Sequence, residues 1–185
     1  MEKTDNTDLE VAVLGGGCFW CTEAIFLRLN GVKSVRPGYS GGNGENPTYE
    51  QVSSGTTNFA ESIEIEFDAD VVSFETILKV FFATHDPTTL NKQGADVGTQ
   101  YRSVIFYMNE TQKTIAEKVM KEEMESGEID GQIVTTLEKF EKFYDAEEYH
   151  FNYYDNNPNN PYCSVVISPK VKKLFEKFPE LVKKK

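Results

Sequence analysis

The chain has 185 residues and carries 30 Asp and Glu against 19 Lys and Arg, a formal charge of −11. That length suits one domain, 1–185, which buries roughly 70% of the surface its unfolded form exposes. The acidic balance argues against nucleic-acid binding, which needs clustered positive charge, and no apolar run approaches the ~18–20 residues of a membrane helix. Three cysteines are too few, and odd in number, for a disulfide framework. Met1 to Glu10 lacks the cationic start and apolar stretch of a signal peptide, so residues 1–9 read as a flexible N-terminus and the location as cytoplasmic, with reduced thiols. The last sixteen residues hold seven Lys against two Glu. Such a run is commonly a solvated helix end.

In chain order, Glu10 to Leu14 reads as a short buried strand running into Gly15-Gly16-Gly17. A helix follows from Phe19 to Leu29, stopped by Asn30-Gly31. Val32 to Arg36 is a candidate strand before the turn-rich stretch Pro37 to Pro47. Ser62 to Phe67 alternates strictly, with Ile63, Ile65 and Phe67 on one face. Phe74, Ile77, Leu78, Phe81 and Phe82 keep helical spacing, and Ser73 is placed to cap them. Ser103 to Met108 is β-rich. Asn109 to Ser126 is a charged helix whose Asn109 and Gln112 have capping-box spacing, and Gly127 to Gly131 ends it. Ile133 to Leu137 and Ser164 to Ile167 read as strands. The order of elements over residues 10–108 gives the fold class: α+β, a ferredoxin-like split βαβ sandwich with an added helix, an extra strand and a loop-rich C-terminal segment, 156–185.

The sharpest chemical signal is Gly15-Gly16-Gly17-Cys18-Phe19-Trp20-Cys21. A cysteine at a helix start meets unpaired N–H groups and the positive end of the helix dipole, which favour its thiolate. Phe19 and Trp20 are costly to expose unless they hold something apolar. Cys18 and Cys21 form a Cys-x-x-Cys pair, open to a redox or nucleophilic role, to simple core filling, or to zinc. Zinc would need two more ligands from Cys163, His85 and His150, without a second Cys-x-x-Cys.

Gly17-Cys18-Phe19-Trp20 resembles the signature of the methionine sulfoxide reductase A family, the peptide-methionine (S)-S-oxide reductases. Further stretches match that family in the same order: Gly38-Tyr39-Ser40-Gly41-Gly42, Asn46-Pro47-Thr48-Tyr49, Ala60-Glu61, His85-Asp86-Pro87-Thr88, Gln93-Gly94-Ala95-Asp96, Gly98-Thr99-Gln100-Tyr101-Arg102-Ser103 and Tyr144-Asp145-Ala146-Glu147-Glu148-Tyr149-His150. The resemblance spans roughly residues 10–168. It implies reduction of methionine-S-sulfoxide, free or in proteins, by a monomer that uses no metal and no organic cofactor and is recycled by thioredoxin.

Reducing a sulfoxide requires a soft nucleophile at sulfur and a neutral acid to protonate the departing oxygen. The resemblance puts the nucleophile at Cys18, which becomes a sulfenic acid, and the acid at Glu61. It further implies that Tyr39 and Tyr101 hold the sulfoxide oxygen, that Asp96 orients a nearby water or hydroxyl, and that Phe19 and Trp20 form the pocket for the substrate methyl group. His85 and His150 are read as structural. Resolution to a disulfide has two candidates. Cys163 resembles the family's resolving cysteine on a swinging tail. Cys21, one helical turn from Cys18, lies within disulfide range at ~5–5.5 Å between Cα atoms. Position 21 is commonly Gly in the family, Phe59 replaces a frequent His, Asn58 the usual Gly, and Ser164 to Ile167 a glycine-rich segment. A Cys-x-x-Cys disulfide oxidoreductase or redox sensor, built on Cys18 and Cys21 alone, is the rival reading.

Overall fold

A computed structural model describes residues 8–184. The N-terminal segment read as flexible lies mostly outside them. The apolar run at the start becomes β1 (Leu9–Gly16) because both of its faces are covered. Ala12 and Leu14 enter the main core, while Val13 packs with Ala60, Val104 and Phe106 behind the sheet. Helix α1 (Phe19–Phe26) follows, then β2 (Val32–Ser40), a short helix α2 (Tyr49–Ser53) and β3 (Ala60–Asp68). Next come α3 (Phe74–Thr84), the two-residue strands β4 (Lys92–Gln93) and β5 (Asp96–Val97), β6 (Ser103–Tyr107) and α4 (Glu110–Ser126). The chain closes with β7 (Thr136–Lys139), β8 (Phe143–Asp145), a single turn α5 (Tyr153–Asn156) and α6 (Ser168–Lys177).

The class is α+β. Six strands form one sheet in the order β7-β6-β1-β3-β2-β8, and β4 pairs with β5 alone. The four central strands are antiparallel throughout, and β7 lies parallel to β6 at one edge. The alternation seen in the sequence sets the orientation of β3. Ile63, Ile65 and Phe67 all face the helices, fully buried, and the period of two carries Glu61 to that same inner face. The caps also follow their residue types. The Ser73 and Asn109 side chains accept the N–H groups of Thr76 and Gln112. Gln112, however, accepts from Met108 N–H, so the capping box is only half built. Gly127 ends α4 in the left-handed region at φ +75.

Three expectations about strands need correction. β2 does not stop at Arg36 before a turn-rich stretch but runs through Ser40, with Pro37 to Ser40 opposite Ile63 to Ala60. The strand expected at Ile133–Leu137 forms three residues later, because Val134 gives its N–H to the Pro87 carbonyl instead of the sheet. Ser164–Ile167 is not a strand. Residues Cys163–Ile167 form a π-helical turn that runs into α6. Pro169 has no N–H for the carbonyl one turn back, the coil widens, and the Ser168 hydroxyl donates to the Cys163 carbonyl at 3.1 Å. β-Propensity reflects fit to a sheet surface. Here Ile167 packs under α1 beside Ala24 and Cys21. Among the described residues, no helix is long and apolar enough to cross a membrane.

Ile65 sits between two paired strands with no exposed surface. Ile65→Ala is therefore expected to cost about 2–5 kcal/mol of unfolding free energy, read by urea denaturation.

Candidate active site

The turn from β1 into α1 builds the site. Gly17 has φ +92, and a Cβ there would stand 2.6 Å from Gln93 Cγ. Only glycine suits both conditions. Gln93 in turn clasps Asp86, accepting its N–H and donating to its carbonyl, each at 2.9 Å. This clasp seats the loop that carries Asp96 and Tyr101 against the glycine turn. Cys18 takes the N-cap position of α1 without using its side chain as a cap. Its carbonyl receives the Cys21 N–H at 3.1 Å.

The cap comes instead from the sheet. Phe19 N–H donates to Glu61 Oε1 at 3.2 Å. Glu61 is only 2% exposed. Burial pushes its carboxyl up to about 8, against the pull of the Phe19 N–H. A neutral acid at neutral pH thus stands at the helix end that carries Cys18.

The thiols depart from the sequence expectation. Burial raises Cys18 well above the usual thiol range, reinforced by its hydrogen bond to Cys21 and by the charge of Glu61. Cys21 goes the other way. The hydrogen bond from Cys18 lowers it to about 7 against burial, with help from Lys170. One helix end cannot ionise two adjacent buried sulfurs. The two sulfurs titrate as one pair, raised at Cys18 and lowered at Cys21. Cys163 is buried in the same cluster as both, and burial raises its thiol too.

Tyrosines surround these groups. Tyr101 is half-buried, and its hydroxyl is raised by burial and by Glu61. Tyr49 is pushed up to about 12 by burial, with Glu61 and Cys18 next among the causes. Tyr39 is placed differently. Its ring has no exposed surface, and its hydroxyl donates to Glu147 Oε1 at 2.9 Å. The other carboxylate oxygen of Glu147 accepts the Tyr49 N–H at 3.0 Å. Tyr39 thus forms the wall behind the site, and Tyr49 stands with Tyr101 beside Cys18 and Glu61. Tyr49 closes the Asn46-Pro47-Thr48-Tyr49 motif. Asp96 accepts the Tyr162 hydroxyl at 2.6 Å.

The aromatic pair divides. Phe19 is fully buried against Tyr39, Tyr49 and His150. Trp20, half-buried, stacks on Tyr153 with ring centroids 3.7 Å apart and gives its indole N–H to His150 Nδ1 at 3.0 Å. Tyr153 is held by Glu23, a buried carboxylate of α1 that accepts the N–H groups of Asn152 and Tyr153. His85 bonds Ser103 Oγ away from the thiols. The departures at 58 and 59 also have structural accounts. Asn58 adopts φ +61, a conformation asparagine shares with glycine, and the Phe59 ring packs edge-on against Tyr144.

A family model described as peptide methionine sulfoxide reductase matches residues 10–181. The peptide methionine sulfoxide reductase MsrA of Saccharolobus solfataricus is 57% identical over 175 residues, covering 95% of this chain and 98% of the relative. Among solved structures, Mxr1 from Saccharomyces cerevisiae in reduced form is 34% identical with a TM-score of 0.77, over 87% of this chain and 94% of that one. Mxr1 is also solved in complex with Trx2, a likeness of fold at 24% identity and TM-score 0.55, over 82% of this chain and 91% of that one.

The Glu61 pKa carries a sign for stability. A carboxyl raised from its unfolded value contributes stability that is present at low pH and lost as pH rises through about 8. Wild type should lose a few kcal/mol between pH 5 and 9 from this group. Glu61→Gln, which cannot ionise, should lack that part of the loss in parallel denaturant titrations.

Proposed function

The chain belongs to the peptide methionine sulfoxide reductase family, and we propose that it reduces methionine-S-sulfoxide, free or in proteins, through the residues gathered at the start of α1. The observation that carries the assignment of roles is a buried acid, neutral up to about pH 8, bonded to the helix end that bears Cys18.

In this reading Cys18 Sγ attacks the sulfoxide sulfur. Its proton passes along the existing hydrogen bond to Cys21, which relieves the burial cost of an isolated thiolate. Glu61 gives its proton to the sulfoxide oxygen as the S–O bond weakens. Tyr49 and Tyr101 hold that oxygen with neutral hydroxyls, and Tyr39 braces Tyr49 through Glu147. Trp20, fixed by Tyr153 and His150, offers an apolar face to the substrate methyl group, backed by Phe19, and this asymmetry selects the S epimer. The protonated oxygen passes from the substrate sulfur to Cys18 Sγ as the bond between the two sulfurs breaks, methionine leaves, and Cys18 becomes a sulfenic acid. Cys21 or Cys163 condenses with it, releasing water and forming a disulfide. Asp96 orients a water or hydroxyl nearby.

A thioredoxin reduces the resulting disulfide by thiol exchange, as the complex of Mxr1 with Trx2 suggests. No step calls on a metal or organic cofactor. A Cys-x-x-Cys oxidoreductase using Cys18 and Cys21 alone leaves the buried Glu61 without a task. We also take residues 1–185 as one catalytic domain working as a monomer. Three free thiols suit the cytoplasm. The β6-β1-β3-β2 order, antiparallel throughout, supports a ferredoxin-like sandwich at the centre.

Turnover of the two sulfoxide epimers tests this reading. Only the S epimer should react, Cys18→Ser should abolish the reaction, and Glu61→Gln should lower kcat by about 10²–10⁴. The rate should fall on the alkaline side near pH 8, where Glu61 loses its proton. Full activity in Cys18→Ser would overturn the roles. Tyr49→Phe should lose more rate than Tyr39→Phe, because the Tyr39 hydroxyl already serves Glu147. Equal losses would restore Tyr39 as a substrate contact.

A further inference from the structure

The C-terminal segment places one further hydroxyl among the reacting groups. Tyr162 gives its O–H to Asp96 Oδ2 at 2.6 Å, and the same oxygen lies 3.8 Å from Cys21 Sγ, within hydrogen-bonding range of sulfur. Its ring meets Trp20 edge-on at 5.9 Å and 82°. Its N–H is held by Asn160 Oδ1 at 2.9 Å. The residue is thus fixed from three sides, and its hydroxyl is shared between a carboxylate and the sulfur of Cys21.

A tyrosine hydroxyl has one proton to give. The short bond to Asp96 takes it in the resting state, leaving Cys21 facing the oxygen's lone pairs. Weakening the hold of Asp96 turns the proton toward sulfur, where it stabilises negative charge on Cys21. We propose that Tyr162 is a positioning residue for Cys21 in the resolving step, and that Asp96 sets how much of the hydroxyl proton reaches the sulfur. The proposal rests on the reading of Cys18 as nucleophile, and it takes Cys21 as the resolving cysteine.

The step balances within the protein. Cys21 Sγ attacks Cys18 Sγ of the sulfenic acid, and the S–S bond forms as the S–O bond breaks. The departing hydroxide takes the Cys21 proton and leaves as water. Cys18 sulfur is reduced from the sulfenic level to the disulfide level while Cys21 sulfur is oxidised to it, so no outside electrons are needed.

The experiment is a single-turnover comparison of methionine release with loss of two thiols, after mixing the reduced full chain with a methionine-S-sulfoxide peptide. Tyr162→Phe is expected to slow disulfide formation about tenfold relative to methionine release. Asp96→Asn keeps an acceptor for the hydroxyl but holds its proton less tightly, so the same ratio should rise a few-fold. The effect of Tyr162→Phe should vanish in a Cys21→Ser background, where Cys163 is left to resolve. An unchanged ratio in Tyr162→Phe, slowing in Asp96→Asn, or an equal slowing in the Cys21→Ser background overturns the proposal. A parallel arm forms the sulfenic acid on Cys18 with hydrogen peroxide. It reads the resolving step even if no methionine were released, an outcome that would instead defeat the reading of the reaction itself.

Discussion

One contact organises this protein: the first N–H of helix α1 against a carboxyl carried on the inner face of β3. A helix start favours negative charge, and burial opposes it. Here burial wins, so Glu61 remains an acid at neutral pH while still satisfying the Phe19 N–H. Because the same helix start carries Cys18, that thiol and the Glu61 carboxyl are held together by backbone geometry. The glycine turn exists to make this approach possible. At Gly17 a side chain would collide with Gln93, whose clasp of Asp86 seats the neighbouring loop.

Around that contact the structure builds a nearly closed aromatic frame. Trp20 is clamped between a stacked ring and a histidine acceptor. Phe19 lies beneath, with Tyr39 and Tyr49 tied together through the two oxygens of Glu147. In such a setting the ordinary preference of a helix start for a thiolate is redistributed. Burial raises the Cys18 thiol, while the bond from Cys18 and the nearby Lys170 lower that of Cys21. Cys18 and Cys21 therefore form one electrostatic unit.

The C-terminal segment shows how local preference yields to packing. Ser164-Val165-Val166-Ile167 has the β-branched composition of a strand. With Ile167 seated under α1 and Pro169 unable to continue a regular coil, the chain takes a π-helical turn instead. That turn keeps Cys163 inside the cluster of three cysteines and puts Tyr162 beside Cys21.

Periodicity in the amino-acid sequence was enough to determine the α+β class, the capped helices at Ser73 and Asn109, and the inward set Ile63, Ile65 and Phe67, because those patterns are written in adjacent residues. The strand–glycine–cysteine turn was legible for the same reason, and the ordered motifs pointed to Glu61 and Tyr101. The burial of Glu61 came with the structure, where β3 begins at Ala60 and the period of two carries Glu61 to the inner face. Only the tertiary structure separated Tyr39 from Tyr49, since the Tyr39 hydroxyl and the Tyr49 N–H bond opposite oxygens of Glu147, about a hundred residues away. It alone set the opposite shifts of Cys18 and Cys21, because a pKa depends on burial and on neighbours brought from β3, β5 and the C-terminal segment. A charge carries its cost in three dimensions, and the chain order does not record distance.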